Sequence, residues 1–425
     1  MASETPPWLD LGQPHVWRPY TQMKNAAPPL PVARTEGARL YLSDGRVLID
    51  GIASWWTAAH GYNHPHIMEA VRRQTEVMAH VMFGGLAHEQ AYRLAARLAA
   101  LLPSDLNHVF FAESGSVSVE IAMKMAVQYW RNRGARGKTR FLSFLGGYHG
   151  DTLATMTICD PDEGMHTHFA GVLPAQHVVA LPRDAQSEAA LDALLAEKAH
   201  EIAAIVVEPL VQGAGGMLMH DGAVLQRLRA MADKHGVLLI FDEIFTGFAR
   251  TGAFFAMESA AVLPDIVTLS KALSGGVLPL SAAIASARVF DAFWSDDPAE
   301  ALMHGPTYMA NPLACAAANA SLDLFEGGAW KANVPRIARA LEAGLAPCRK
   351  LAGVKDVRVL GAIGVVELAA APHYADLIAR FAAKGCWIKP FGKIVYLTPA
   401  LIASDGELAQ LTEAIVSVLG GVLEA

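Results

Sequence analysis

Cysteine is scarce in this sequence, basic runs are missing, and no stretch stays apolar for long. The four cysteines, Cys159, Cys315, Cys348 and Cys386, stand far apart in 425 residues with no CxxC spacing. That argues against a disulfide framework and a cysteine zinc site, and suits buried thiols in a reducing compartment. Charged residues make up only 18% of the chain, and its net charge of −7 is not clustered by sign. A nucleic-acid surface is therefore not expected. No apolar run approaches the length that crosses a bilayer. The opening MASETPPWLD has no basic region ahead of an apolar one, unlike a secretory signal. The expectation is a cytoplasmic protein with no membrane or nucleic-acid partner.

What is present is a hydrophobic share of 53%, enough for a well-packed globule. The length suggests one large domain and a smaller one. NHVFFA, TRFLSF, EIAAIVVEPL, GVLLIFDE and DIVTLSK read as strands, the third as one buried on both faces. Between them lie helical patterns. Val119, Ala122, Met123, Ala126, Val127 and Trp130 repeat along one helix face, and DGAVLQRLRAMADKHG has Asp221 placed as an N-cap and Gly236 just past the end. Strand–helix–strand alternation implies an α/β fold with a mostly parallel sheet covered by helices. After about Gly327 the composition turns to Ala/Leu/Glu/Lys helix with short strands such as GAIGVVEL and KIVYLTP. Three parts are therefore expected: an N-terminal segment (1–59) contributing to a small domain, a large domain (60–326), and a C-terminal small domain (327–425).

In open parallel sheets, ligands gather beyond the carboxyl ends of the strands. Glu208, Asp242 and Lys271 each stand at or just past such an end. A lysine there reads either as half of a structural ion pair or as an amine poised to form a Schiff base, with an aspartate facing a protonated ring nitrogen. The order of motifs favours the second reading. ESGSVSVE turns through Ser114-Gly115-Ser116 into a helix, a suitable start for a phosphate site. GGYHGD then brings Tyr148 to the same edge, where it can cover a flat ring. His60, His64 and His66 do not read as a metal site, because Pro65 is expected to break the helix that would align them. Of Asp242 and Glu243, the first reads as a ligand contact and the second as its structural neighbour.

ESGSVSVEIAMKMA, GGYHGDT, FDEIFTGFARTG and TLSKALSGG together resemble the class III, pyridoxal-phosphate-dependent aminotransferases, from about Tyr20 almost to the C-terminus. That resemblance implies a fold-type I transferase: a large domain with a mostly parallel sheet plus a smaller α+β domain. It implies pyridoxal 5'-phosphate held by Lys271, Asp242 at its ring nitrogen, Gly115 and Ser116 at its phosphate, and Tyr148 over the ring. It also implies a homodimer, since Pro306 and Thr307 would close the phosphate site from the partner subunit.

Within the family, VWRPYTQM, DGIASWWTAAHGYNHP, MFGGLAHE and HGPTYMANPLAC resemble the members that move an amino group from S-adenosylmethionine to 8-amino-7-oxononanoate in biotin synthesis. Tyr20, Trp55, Trp56 and Gly305 would then line the substrate pocket, and Arg250 would help build it. One position departs from the pattern. Where family members carry an arginine for a substrate carboxylate, WIKPFGKIVYL has Lys389, which keeps the charge without the bidentate fork. Lysine as amino donor therefore stays open, as does an ω-amino acid or diamine transaminase, with a non-catalytic scaffold less favoured.

Overall fold

The runs IAAIVV, LLIFD and IVTL are buried at every position, because helices cover both faces of the sheet they build. The computed structural model describes residues 6–161, 167–169 and 171–423. Its large sheet has seven strands in the order Leu106–Ala112, Ser281–Ser286, Ile266–Leu269, Leu238–Asp242, Ile202–Val207, Arg140–Phe144, His177–Val179. Ser281–Ser286 runs antiparallel to both its neighbours; the remaining pairs are parallel. Side chains alternate between two cores, as the strand period of two requires. Val206, Ile240 and Ile266 join the helix Gly115–Asn132 in one cluster, while Val207, Phe241 and Val267 join the other.

The expected helices form. Gly222–His235 starts at Asp221, whose carboxylate accepts from Val224 N, and ends at Gly236 with φ +62°. Gly115–Asn132 buries Val119, Ala122, Met123 and Ala126. A four-stranded sheet joins the two ends of the chain: Val32–Glu36, Arg39–Leu42 and Val47–Asp50 are completed by Cys386–Trp387, which pairs parallel with Trp387 opposite Asp50. A three-stranded antiparallel sheet, Val354–Leu360, Ile363–Leu368 and Ile394–Leu397, packs with the helices Trp330–Leu345 and Asp405–Leu423.

Two expectations are corrected. Asp405–Leu423 is 19 residues long and apolar enough to cross a membrane by length and composition. Here it buries Leu408, Leu411, Ile415 and Leu419 in the hydrophobic core instead. Pro65 does not break a helix but opens one, Pro65–Val77, with His64 as its cap; a missing N–H costs nothing at that position. The three histidines have separate partners: His60 bonds Ser321 (3.1 Å), His66 bonds Asp323 (2.8 Å), and the His64 ring accepts from His66 N.

Candidate active site

Register aligns the strand ends. Phe241 sits opposite Val207 and Asp242 opposite Thr268, so Glu208, Asp242 and Lys271 emerge on one edge. Asp242 is buried and fully engaged: its carboxylate lies 2.9 Å from His149 Nδ1 and accepts from Ile244 N and Thr268 Oγ1, each at 3.2 Å. Its orientation is thus set before any ligand arrives. Burial would depress the His149 imidazolium, but the hydrogen bond and charge of Asp242, with Glu208 beyond, raise its pKa above the ordinary value. Glu208 accepts from Tyr148 N and Gly213 N, both at 2.9 Å, and burial pushes its pKa up to about 7. Glu243 turns away and accepts from Ala256 N and Met257 N at the start of the helix Ala256–Ala260.

Lys271 has φ +43°, a region that costs a non-glycine residue on the order of 1 kcal/mol. Its Nζ lies 4.4 Å from the ring centre of Trp56. Burial lowers its pKa to about 8, against the pull of Asp242, Glu208 and Asp151. A neutral amine is therefore within reach near physiological pH, which a nucleophile or proton carrier requires.

The helix Gly115–Asn132 begins at the same edge. Ser114 Oγ takes the N–H of Val117 and its carbonyl takes that of Ser118. The N–H groups of Gly115 and Ser116 are left without an intrahelical acceptor. The loop after Arg140–Phe144 closes over this start: Asp151 N donates to Ser116 Oγ (3.1 Å). Gly150 permits the approach. Its φ is +133°, and a Cβ there would meet Ser116 Oγ at 2.4 Å.

Tyr148 donates to Asp151 Oδ1 (2.8 Å), and Tyr20, from a distant segment, donates to Asp151 Oδ2 (2.5 Å). Burial raises both phenol pKa values, that of Tyr20 to about 12. Trp55 meets Tyr20 edge to face at 6.3 Å, and Lys389 Nζ lies 4.3 Å from the Trp55 ring centre. Burial lowers the Lys389 pKa. The tandem tryptophans divide their surroundings. Trp55 is partly exposed beside Lys389, while Trp56 is buried under Lys271 and packs on Phe245 at 4.4 Å. Together Trp56, Ser116, Tyr148, Glu208, Asp242 and Lys271 face one cavity of about 160 Å³.

Seven of the expected residues do not line this cavity: Tyr20, Trp55 and Lys389, which gather around the Trp55 ring, and Gly305, Pro306, Thr307 and Arg250. Gly305 and Thr307 are exposed and Pro306 half-buried, on a segment that does not line the cavity within this chain. Arg250 is buried and donates to the carbonyls of Pro399 (2.8 Å) and Ala362, tying the large sheet to the C-terminal strands. His149, Asp151 and Phe245 reach the site with no role read for them from sequence. The available signal was position: two of them, His149 and Asp151, closely follow Tyr148 in a loop that leaves a strand's carboxyl end.

The family model described as Aminotransferase class-III matches residues 20–419. The chain belongs to this family. It is 47% identical to adenosylmethionine-8-amino-7-oxononanoate aminotransferase of Mycobacterium leprae over 417 residues, 96% of this chain and 95% of that one. It is 42% identical to the enzyme of the same name from Corynebacterium glutamicum, covering 98% and 100%. Among solved structures it is similar to that of the same-named enzyme from Methanocaldococcus jannaschii, with TM-score 0.92, 29% identity and coverage of 98% and 99%. An (S)-enantioselective omega-transaminase from Thermomicrobium roseum is similar at TM-score 0.90 and 29% identity, covering 98% of each chain.

Class III aminotransferases use pyridoxal phosphate. The residues present fit that group: a lysine of lowered pKa, a carboxylate locked at a strand end, and a helix start with two N–H groups lacking an intrahelical acceptor. The glycine contact at Ser116 keeps that helix start clear of a side chain.

Proposed function

We propose that this aminotransferase moves an amino group from S-adenosylmethionine to 8-amino-7-oxononanoate, giving 7,8-diaminononanoate for biotin synthesis. The observation that carries the substrate assignment is the 47% identity, over nearly the full length of both chains, to a relative named for that reaction. Omega-transaminases share the fold, so the fold alone does not choose between substrates. The wall of Tyr20, Trp55 and Lys389 supports the choice. Aromatic faces suit a long aliphatic acceptor, an adenine and a sulfonium cation alike; a cation over such a face gains about 0.5–2 kcal/mol.

When bound, pyridoxal phosphate supplies the electron sink that allows an amine and a carbonyl to be exchanged. The residues proposed to serve it are those of the cleft. Lys271 anchors the cofactor and moves a proton through Nζ, a role its lowered pKa supports. Asp242, oriented by His149 and Thr268, holds negative charge at the far end of the site. Gly115 and Ser116 take the phosphate at the helix start, and Tyr148 covers the ring. Lys389 receives a substrate carboxylate as a point charge. Pro306, Thr307 and Gly305 complete the site from the second subunit of a homodimer, a reading supported by their place on an exposed segment. The division into 1–59, 60–326 and 327–425, and a cytoplasmic location, belong to the same proposal.

A half-reaction tests it. Purified protein is mixed separately with S-adenosylmethionine, lysine and an ω-amine, and the absorbance of bound cofactor is followed. Conversion by S-adenosylmethionine, then amino transfer to 8-amino-7-oxononanoate, is expected. Conversion by lysine alone or by ω-amines alone would overturn the donor assignment.

A further inference from the structure

The segment carrying both tryptophans folds in an unusual hand. Ala53, Ser54, Trp55 and Trp56 have φ of +45°, +49°, +54° and +74°. They close a left-handed turn in which Trp56 N donates to Ile52 O and Thr57 N to Ala53 O, each at 2.9 Å. None of the four is glycine, and each costs roughly 1–2 kcal/mol in this conformation. Something must hold the turn. Asp50, the last residue of Val47–Asp50, is buried directly beneath it. Its Oδ1 accepts from Ile52 N (2.8 Å), and its Oδ2 accepts from Ser54 N (2.7 Å) and the Tyr62 hydroxyl (2.6 Å). No lysine or arginine pairs with it among the described residues.

The surroundings show what the turn delivers. Trp387 pairs opposite Asp50, and Gly51 N donates to Trp387 O (2.9 Å). The two parallel strands therefore leave the sheet side by side, and Lys389, two residues past Trp387, meets the face of Trp55. On the other side, Gly276 from the loop after Lys271 lies against the end of the turn. A Cβ there would come within 3.0 Å of Ala58 N, and Trp56 lies under Lys271. One turn thus supplies an indole to each of two lysines drawn from separate regions of the chain.

We propose that Asp50 is a positioning residue for amino transfer: its carboxylate holds the left-handed turn that sets Trp56 against Lys271 and Trp55 against Lys389. Strained backbone persists where its surroundings over-determine it, and here three hydrogen bonds to one buried carboxyl group do so. Asparagine at this position would present an NH₂ to one of the two backbone N–H donors, so isosteric replacement breaks the hold.

The test labels the holoenzyme with 5-fluorotryptophan and assigns two of its eight tryptophan resonances through Trp55→Phe and Trp56→Phe. Asp50→Asn is expected to move the Trp55 and Trp56 signals and leave those of the five tryptophans remote from the turn in place, Trp387 being the register partner of Asp50. The kcat/KM for transfer should fall about 10²-fold, the cost of displacing a substrate wall by about 1 Å. Adding Ser54→Gly should recover about tenfold of that loss, since glycine adopts positive φ freely. Movement of neither signal, or of all eight, would overturn the proposal, as would a double variant no better than the single one. If Asp50→Asn does not fold, Tyr62→Phe removes one of the three hydrogen bonds and is judged by the same two signals. The kinetic arm rests on the proposed transfer and the resonances do not. Absence of transfer in the unaltered enzyme would count against that reading alone.

Discussion

Lys271 is a lysine placed where its charge is least welcome, and that has a thermodynamic consequence. In the unfolded chain its amine holds a proton up to about pH 10.5; in the fold, burial releases it near pH 8. Between those values the unfolded chain binds more protons, so stability rises with pH; below pH 8 both states are protonated and the penalty stays constant. Glu208 and Glu243 act in the opposite sense. Burial moves each from 4.5 to about 7, so their contribution is full below pH 4.5 and is lost as pH rises through 7. In the cofactor-free protein, Lys271→Met is expected to have the higher urea midpoint at pH 7, and the gap should close between pH 8 and 10.5 as the unaltered lysine loses its proton. The buried cysteines, whose thiols are pushed up from 9.0 to about 11 or 12, weaken both proteins alike as pH rises through that range. A gap that stays constant there would show that Lys271 is not the group responsible.

At the scale of elements, the loop Gly146–Asp151 and the helix start Gly115–Ser116 act as one piece because Gly150 has no side chain. Gly150→Ala would place a methyl 2.4 Å from Ser116 Oγ and 2.8 Å from Ser116 Cα, contacts that real side chains do not tolerate. One of the two must retreat, taking with it either the helix start or Asp151 and the two tyrosines bonded to it. Cofactor affinity, measured by titration of the cofactor-free protein, should weaken at least about tenfold, a cost of 1.4 kcal/mol. An unchanged affinity would detach this loop from the cofactor site. The same scale shows what could be read in advance. The all-apolar strands and the helix bounded by Asp221 and Gly236 follow from local rules, and so does the convergence of Glu208, Asp242 and Lys271 at one edge. SAAIAS did not announce itself, because its small residues carry neither β-branched bulk nor alternation, although it is the antiparallel strand beside Ile266–Leu269. The left-handed turn of ASWW was illegible for a different reason. Nothing in those residues favours positive φ; the conformation comes from Asp50 and Tyr62, and from a strand paired across more than 300 residues. The stacking of Lys389 on Trp55 likewise belongs to tertiary structure, even though both residues were picked out individually.

At the scale of the whole molecule, the cleft as one chain builds it contains Lys271, Asp242 and the helix start but neither Pro306 nor Thr307. Those two stand on a segment with exposed apolar neighbours, Met303 and Tyr308, while Trp17, Met82 and Tyr92 are exposed elsewhere on the chain. Exposed apolar groups of this kind are what a symmetric pair of subunits would cover. A shared site predicts complementation. Lys271→Ala destroys the site built around its own chain's lysine, and Thr307→Arg, by obstruction, destroys the site on the opposite chain. In a mixed dimer both defects fall on one site, leaving the other with an intact Lys271 and an intact Thr307. After the two inactive proteins are unfolded and refolded together, half of the dimers are mixed and each has one working site. Activity should therefore return to about a quarter of the unaltered level. If each chain completed its own site, every chain in the mixture would carry one defect and no activity would return. That result would assign Thr307 to the site of its own chain and overturn the shared site.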